Sequence, residues 1–292
     1  MTIQTWLKAT TRLLAAAGDD TARLDALVLL EDQTGMDRAQ ILAYPESEIT
    51  AETLNVLNNL IERRKSHEPL AYLRGKSEFY GREFIVSPAV LVPRPESETM
   101  IELLLLLAPS IRCADLESAG ETKPGDRANS SNLLRIADVG TGSGALGITA
   151  QLELPNTTVD LLDIDEAALE IAKMNVIKFT LGNTIYHTDL LHGSAGKYDV
   201  LLCNLPYVPD QYAINDAARH EPAIALFAGA DGLDLYRKLA DQLGGLQRKP
   251  LLILTESLPE QHEGLRTIMC GIDYIEDAHD DFIQAFKPHL AQ

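Results

Sequence analysis

From Thr2 to about Arg74 the apolar positions recur at intervals of three and four, the period of amphipathic helices. Asp19-Asp20 can start one such helix, with Leu24, Leu27, Val28 and Leu30 as its apolar positions and Gly35 ending it. A second run, Leu54, Leu57, Leu60 and Ile61, carries Arg63-Arg64-Lys65 at its end. No repeat period is evident. Glu78 to Val92 then mixes aromatic and β-branched residues around Gly81 and reads as a hairpin, in which Phe79, Tyr80 and Phe84 are expected to pack rather than to touch a ligand. A Leu-rich helix around Leu103 follows. The polar stretch at about 115–132 is expected to be a solvated, mobile insertion.

From Leu133 onward the pattern changes to short apolar runs alternating with helical segments. Leu133–Val139, Thr158–Leu162, Ile185–His187, Lys197–Cys203 and Pro250–Glu256 read as strands of a mostly parallel sheet with helices on both faces. The expected organisation is an N-terminal helical domain over 1–74, a β-hairpin linker over 75–95 and an α/β, Rossmann-like domain over 96–292. A helical module ahead of a catalytic sheet suits substrate docking and structural capping equally.

Composition narrows the partners. The 292 residues hold 43 acids and 25 bases, a formal net charge of −18, which makes the chain a poor general binder of nucleic acid. Arg63-Arg64-Lys65 reads either as a local basic patch or as a helix end that favours the dipole. Cys113, Cys203 and Cys270 form no C-x-x-C pair, and the histidines show no ligand spacing, so neither a disulfide scaffold nor a metal site is expected. The N-terminus lacks a signal-peptide layout. The longest apolar run, Leu103 to Ala108, is far short of a membrane span, and a cytoplasmic location is the expectation.

Two loops carry candidate chemistry. The first is Gly140-Thr141-Gly142-Ser143-Gly144, a strand-to-helix turn in which glycine lets a ligand approach backbone. Its spacing is not the full dinucleotide fingerprint, although Gly147 supplies a later glycine. Asp163 ends the next strand about 20 residues beyond the loop, where an acid binds ribose hydroxyls. NAD and S-adenosylmethionine both carry that ribose. Asp138 is placed to hold the loop, to meet the cofactor, or to cap its strand. The second loop is Asn204-Leu205-Pro206-Tyr207, at the end of a buried strand. The Asn204 side-chain carbonyl and the Leu205 main-chain carbonyl can hold both hydrogens of a planar NH2 group; Pro206 stiffens the loop and Tyr207 offers an aromatic face. Hydride transfer has no use for such a clamp, which favours S-adenosylmethionine.

The chain resembles the HemK-type release-factor glutamine N5-methyltransferases. The resemblance runs through Glu68-Pro69-Leu70-Ala71-Tyr72-Leu73-Arg74-Gly75, Glu78-Phe79-Tyr80-Gly81 and Val90-Leu91-Val92-Pro93-Arg94-Pro95-Glu96-Ser97-Glu98. After the clamp it continues through Glu221 to Leu226 and Gly229 to Tyr236. It implies S-adenosylmethionine as cofactor and, as substrate, the glutamine of a Gly-Gly-Gln loop in a peptide chain release factor. It also implies that Asp189 and Leu190 meet the adenine, and that Arg94 and Glu96 line the site opening. Two features depart from the family. Leu205 stands where Asn-Pro-Pro-Tyr has proline, a spelling shared with ribosomal RNA adenine dimethyltransferases. The end of the chain, His279 to Phe286, lacks the family's Asp-x-x-Gly-x-x-Arg stretch, which leaves the last strand without an assigned role. The rival functions are an adenine N6-methyltransferase acting on RNA or DNA and an inactive module that keeps the fold.

Overall fold

The computed structural model describes residues 1–118, 133–193 and 197–289, which form two compact units: 1–76 with 214–220, and 77–213 with 221–289. The first unit is helical: α1 Ile3–Ala16, α2 Ala22–Thr34, α3 Arg38–Ala43, α4 Ala51–Lys65 and α5 Leu70–Arg74. Side chains cap the helices. Thr2 and Thr50 accept from the amides three residues on, Asp37 and Gln40 form a capping box, and Gly35 and Gly75, both at φ 69°, supply the left-handed stops.

Two details of the helical pattern differ from expectation. Asp19 lies before α2, where its Oδ1 accepts from the Thr21 amide and hydroxyl, and the helix begins only at Ala22. Leu24 is exposed while Leu29 and Ala26 join Leu27 and Leu30 in the core, because the inner face runs through Ala22, Ala26, Leu29 and Leu30 and leaves Leu24 outside it. The basic cluster is neutralised. Arg64 pairs with Asp25 at 2.6 Å and Asp19 at 3.2 Å, Arg63 with Glu68, and Lys65 with Glu62.

The hairpin of β1 Lys76–Phe79 and β2 Arg82–Ile85 turns on Tyr80-Gly81, at φ 51° and 68°, the left-handed pair that a two-residue loop requires. From Ser77 it belongs to the second unit and is no separate linker. Phe79 and Phe84 are buried, Phe84 against Phe179 with ring centres 4.9 Å apart. The fully buried Asn175 accepts from the Ile85 amide at 2.7 Å and donates to Ile85 O at 2.9 Å and Ser143 O at 2.8 Å.

The rest of this unit is α6 Glu98–Ser118, β3 Leu134–Val139, α7 Ala145–Glu153, β4 Thr157–Asp163, α8 Glu166–Lys178, β5 Thr184–His187, β6 Val200–Cys203, α9 Asp234–Gly244, β7 Leu252–Glu256, α10 His262–Cys270, β8 Tyr274–Asp280 and β9 Ile283–Pro288. Since α6 runs to Ser118, the start of the expected insertion is helical, and the rest of it lies outside the described residues. The seven strands follow the order β5-β4-β3-β6-β7-β9-β8. The first five are parallel, and β9 pairs antiparallel with both β7 and β8. The end of the chain thus acquires a role: β9, with Ile283, Gln284, Ala285 and Phe286 fully buried, is threaded between β7 and β8. Every residue of β6 and β7 is buried, as strands covered on both faces must be. The Rossmann-like α/β expectation therefore holds.

Candidate active site

The sheet order reverses between β3 and β6, the position at which open α/β sheets bind ligands beyond their strand ends. A cavity opens there. Its wall includes Gly140, Thr141, Gly142 and Ser143 after β3, Asp163 at the end of β4, Asp189 and Leu190 after β5, and Asn204, Leu205 and Pro206 after β6. Four loops far apart in sequence are thus brought to one surface.

The glycine turn is built around two carboxylates. Gly140, Gly142 and Gly144 take φ of 73°, 54° and 82°, conformations that side chains resist. Leu162 O accepts from the amides of Gly140 and Thr141 at 2.8 and 2.9 Å. Asp138 is buried, and its Oδ2 accepts from the Thr141 hydroxyl at 2.6 Å and the Gly147 amide at 2.9 Å. Of the three placements open to it, holding the loop is the one this geometry supplies. Burial raises its pKa to about 6 against the pull of those two donors. Gly147 serves helix packing, since a Cβ there would stand 2.4 Å from Leu161 Cδ2.

Asp163 accepts from the Gly142 amide at 2.8 Å through Oδ2 and from the Asp165 amide at 3.0 Å through Oδ1. The residue also lines the cavity. Burial raises its pKa, while the backbone donors oppose the shift. Leu190 sits at φ 54°, a left-handed conformation that is uncommon for a bulky side chain and places it on the cavity wall. Asp189 forms an ion pair with Lys238, which lines the same cavity and which the sequence pattern did not mark.

Asn204 is held from behind. Its Nδ2 donates to Ser97 Oγ at 2.9 Å, and Ser97 Oγ donates to Glu256 Oε2 at 2.6 Å. The other carboxylate oxygen of Glu256 accepts from the Tyr207 hydroxyl at 3.0 Å. Burial raises the pKa of Glu256, and the hydroxyls of Ser97 and Tyr207 oppose this. The buried Tyr236 hydroxyl donates to Cys203 O at 2.9 Å and lies 2.5 Å from Glu256 O, fastening the ends of β6 and β7 together.

Gly144 and Tyr207 are not on the cavity wall. Gly144 caps the start of α7, and Tyr207 turns its hydroxyl to Glu256. Arg94 and Glu96 do not line it either; Arg94 donates to both oxygens of the buried Glu221 at 2.7 Å, while Pro93 and Ser97 face the cavity. Phe79, read only as a packing residue, does both. Ser97, Glu256 and Lys238 were missed as site residues. A carboxylate ending the strand Leu252-Ile253-Leu254-Thr255-Glu256, which opens on an apolar run, was the available signal for one of them.

A Rossmann-like sheet with a glycine turn and a strand-end acid, facing an Asn-x-Pro-Tyr loop across one cavity, defines a methyltransferase. Residues 5–75 match the family model described as PrmC N-terminal domain, and 128–224 match the one described as methyltransferase small domain. A release factor glutamine methyltransferase of Coxiella burnetii is 33% identical over 258 residues, covering 88% of this chain and 86% of that protein. One from Koribacter versatilis is 36% identical over 251 residues, covering 83% and 81% respectively. A bifunctional methyltransferase of Rickettsia bellii is 31% identical over 296 residues, and this chain spans 52% of its length. The chain belongs to the release factor glutamine methyltransferase family.

Proposed function

We propose that this protein transfers the methyl group of S-adenosylmethionine to the side-chain amide nitrogen, N5, of the glutamine in the Gly-Gly-Gln loop of a peptide chain release factor. The orientation of Asn204 carries the reading. With its NH2 committed to Ser97, its Oδ1 is left without a protein partner among the described residues and stands as an acceptor on the cavity wall.

The residues present fit the cofactor. A Cβ at Gly142 would meet no protein atom within 4 Å, so glycine keeps open a stretch of cavity wall that a side chain would occupy. Asp163 would accept from the ribose hydroxyls; Leu190 would pack on the adenine, and Asp189, steadied by Lys238, would accept from its amine. When bound, S-adenosylmethionine supplies an electrophilic methyl group on a sulfonium.

The chain's own task is alignment. An amide nitrogen is a poor nucleophile because its lone pair is delocalised into the carbonyl. Asn204 Oδ1 and the Leu205 carbonyl accept its two hydrogens, which fixes the nitrogen's position and favours charge at nitrogen as the new bond forms. Pro206 and the buried Leu205 side chain keep the loop stiff and exclude water. Tyr207, its hydroxyl turned to Glu256, braces the loop from behind.

Arg63, Arg64 and Lys65 are each occupied by a carboxylate, which adds to the net charge of −18 as an argument against an RNA or DNA substrate. Action on a release factor implies a cytoplasmic location; among the described residues no helix is long and apolar enough to cross a membrane. Mass spectrometry of a release factor incubated with enzyme and cofactor tests the assignment. The expected result is one added methyl group on the Gly-Gly-Gln glutamine, and label found in bare RNA instead would overturn it.

A further inference from the structure

We propose that Ser97 and Glu256 are positioning residues for the transfer, a buried relay that sets which way the Asn204 carboxamide faces and polarises it. This rests on the reading of the site as one that methylates an amide nitrogen.

A carboxamide has two orientations of nearly equal shape, and only one presents oxygen to the substrate. The hydrogen bonds here run in one direction. Ser97 Oγ gives its single hydrogen to Glu256 Oε2 at 2.6 Å, so only lone pairs remain to face Asn204. Nδ2 can donate to them, at 2.9 Å, whereas a flipped Asn204 would set Oδ1 against an oxygen with no hydrogen to offer. The relay is anchored at both ends. The Ser97 amide donates to Arg94 O at 3.1 Å, and Arg94 is pinned by the buried Glu221. Glu256 ends β7, and its second oxygen is taken by the Tyr207 hydroxyl.

The carboxylate stands at a buried position. Glu256 is 1% exposed and Ser97 3%, and among the described residues no cation pairs with Glu256. A buried acid without a cation is costly to keep, and the hydroxyls of Ser97 and Tyr207 are its side-chain donors. Its position suits transfer to nitrogen. As the methyl–nitrogen bond forms and positive charge grows on the substrate amide, a chain of donors ending on Glu256 Oε2 strengthens Asn204 Oδ1 as an acceptor.

The test compares Ser97→Thr with Ser97→Val, which match in shape and differ in the hydroxyl. Each is made in the full chain, alone and with Asn204→Ala. Single-turnover methylation of the release factor should be about 10- to 100-fold slower for Ser97→Val than for Ser97→Thr, within the range of one preorganised donor. The two should bind cofactor with affinities within about 3-fold of each other, since the hydroxyl in which they differ is turned to Glu256 and Asn204. With Asn204→Ala present, the gap between them should shrink to less than about 2-fold, because the relay then has nothing to orient. A gap that persists in that background makes Ser97 merely structural and overturns the proposal; so does the absence of a gap. A second readout needs no substrate. The Asn204 side-chain amide signal, identified by its loss in Asn204→Ala, should exchange its hydrogens at least about 10-fold faster in Ser97→Val and in Glu256→Gln than in the wild type. Equal exchange rates refute the relay whatever the substrate is, whereas a wild-type enzyme that leaves the glutamine unmethylated, with the exchange difference intact, refutes only the functional reading.

Discussion

A Cβ built on Gly140 would stand 3.0 Å from Leu205 Cδ2, so the glycine turn and the clamp loop share one van der Waals surface. Gly140→Ala meets two obstacles there, a φ of 73° and the Leu205 side chain. We expect it to lower stability by about 1–3 kcal/mol and to weaken cofactor binding. Adding Leu205→Ala should recover part of the crowding cost, leaving the strained φ, so the double variant should be less unstable than the sum of the singles. Denaturant titration and calorimetry of the four proteins check this, and strict additivity would show that the two residues do not press on each other.

Leu205→Pro restores the common family spelling and keeps the main-chain carbonyl. The Leu205 side chain is 2% exposed and belongs to the core beside β3 and β6, so its loss should cost about 1–3 kcal/mol of stability. Its amide, directed at the Tyr236 hydroxyl, would also go. Single-turnover methylation should nonetheless stay within a few-fold of the wild type. A loss of a hundred-fold would mean that Leu205 acts through its side chain.

Asn204→Ala removes one of two acceptors from a partly buried site. We expect a fall of about 10²–10³ in the single-turnover rate with cofactor affinity nearly unchanged. A variant that methylates glutamine at the wild-type rate would rule out the clamp.

Asp138 gives a pH signature. Its folded pKa, about 6, lies above the free value of 3.8, so the contribution it makes to stability is fully present below about pH 4 and is lost as pH rises through about 6. The span is at most about 3 kcal/mol. Asp138→Asn removes this titration, so the stability of the wild type minus that of the variant should fall by about 2 kcal/mol between pH 4.5 and 7.5. Denaturant midpoints for both proteins at the two pH values measure it; a flat difference would show that Asp138 is ionised throughout.

Arg64 is a structural cation, paired with Asp19 and Asp25. Its side chain is 13% exposed, and those of its partners Asp19 and Asp25 are 4% exposed. Arg64→Ala should therefore destabilise the helical unit by about 3–5 kcal/mol, the cost of leaving buried carboxylates unpaired. Thermal unfolding reads this directly, and a loss under 1 kcal/mol would return the cluster to the solvated surface.

The sequence by itself determined what local pattern can carry. The five parallel strands were legible because buried strands read as continuous apolar runs, and the glycine turn was legible because a tight strand-to-helix turn with positive φ demands glycine. The Asn204 loop showed itself by its residue types at the end of such a run. Tertiary structure alone decided which residues stand behind it. Ser97 and Glu256 lie 107 residues before and 52 residues after Asn204; Ser97 has no local signature, and a Glu at the end of an apolar run signals a buried acid without naming its partner until folding places the two oxygens 2.6 Å apart. The same holds for the neutralised Arg64, whose partner Asp25 is 39 residues away, and for β9, whose insertion between β7 and β8 depends on antiparallel pairing that no period along the chain encodes. Periodicity reports the face a residue turns to the core, whereas a site is made of groups from separate strands, and only the closed sheet brings those groups within hydrogen-bond reach.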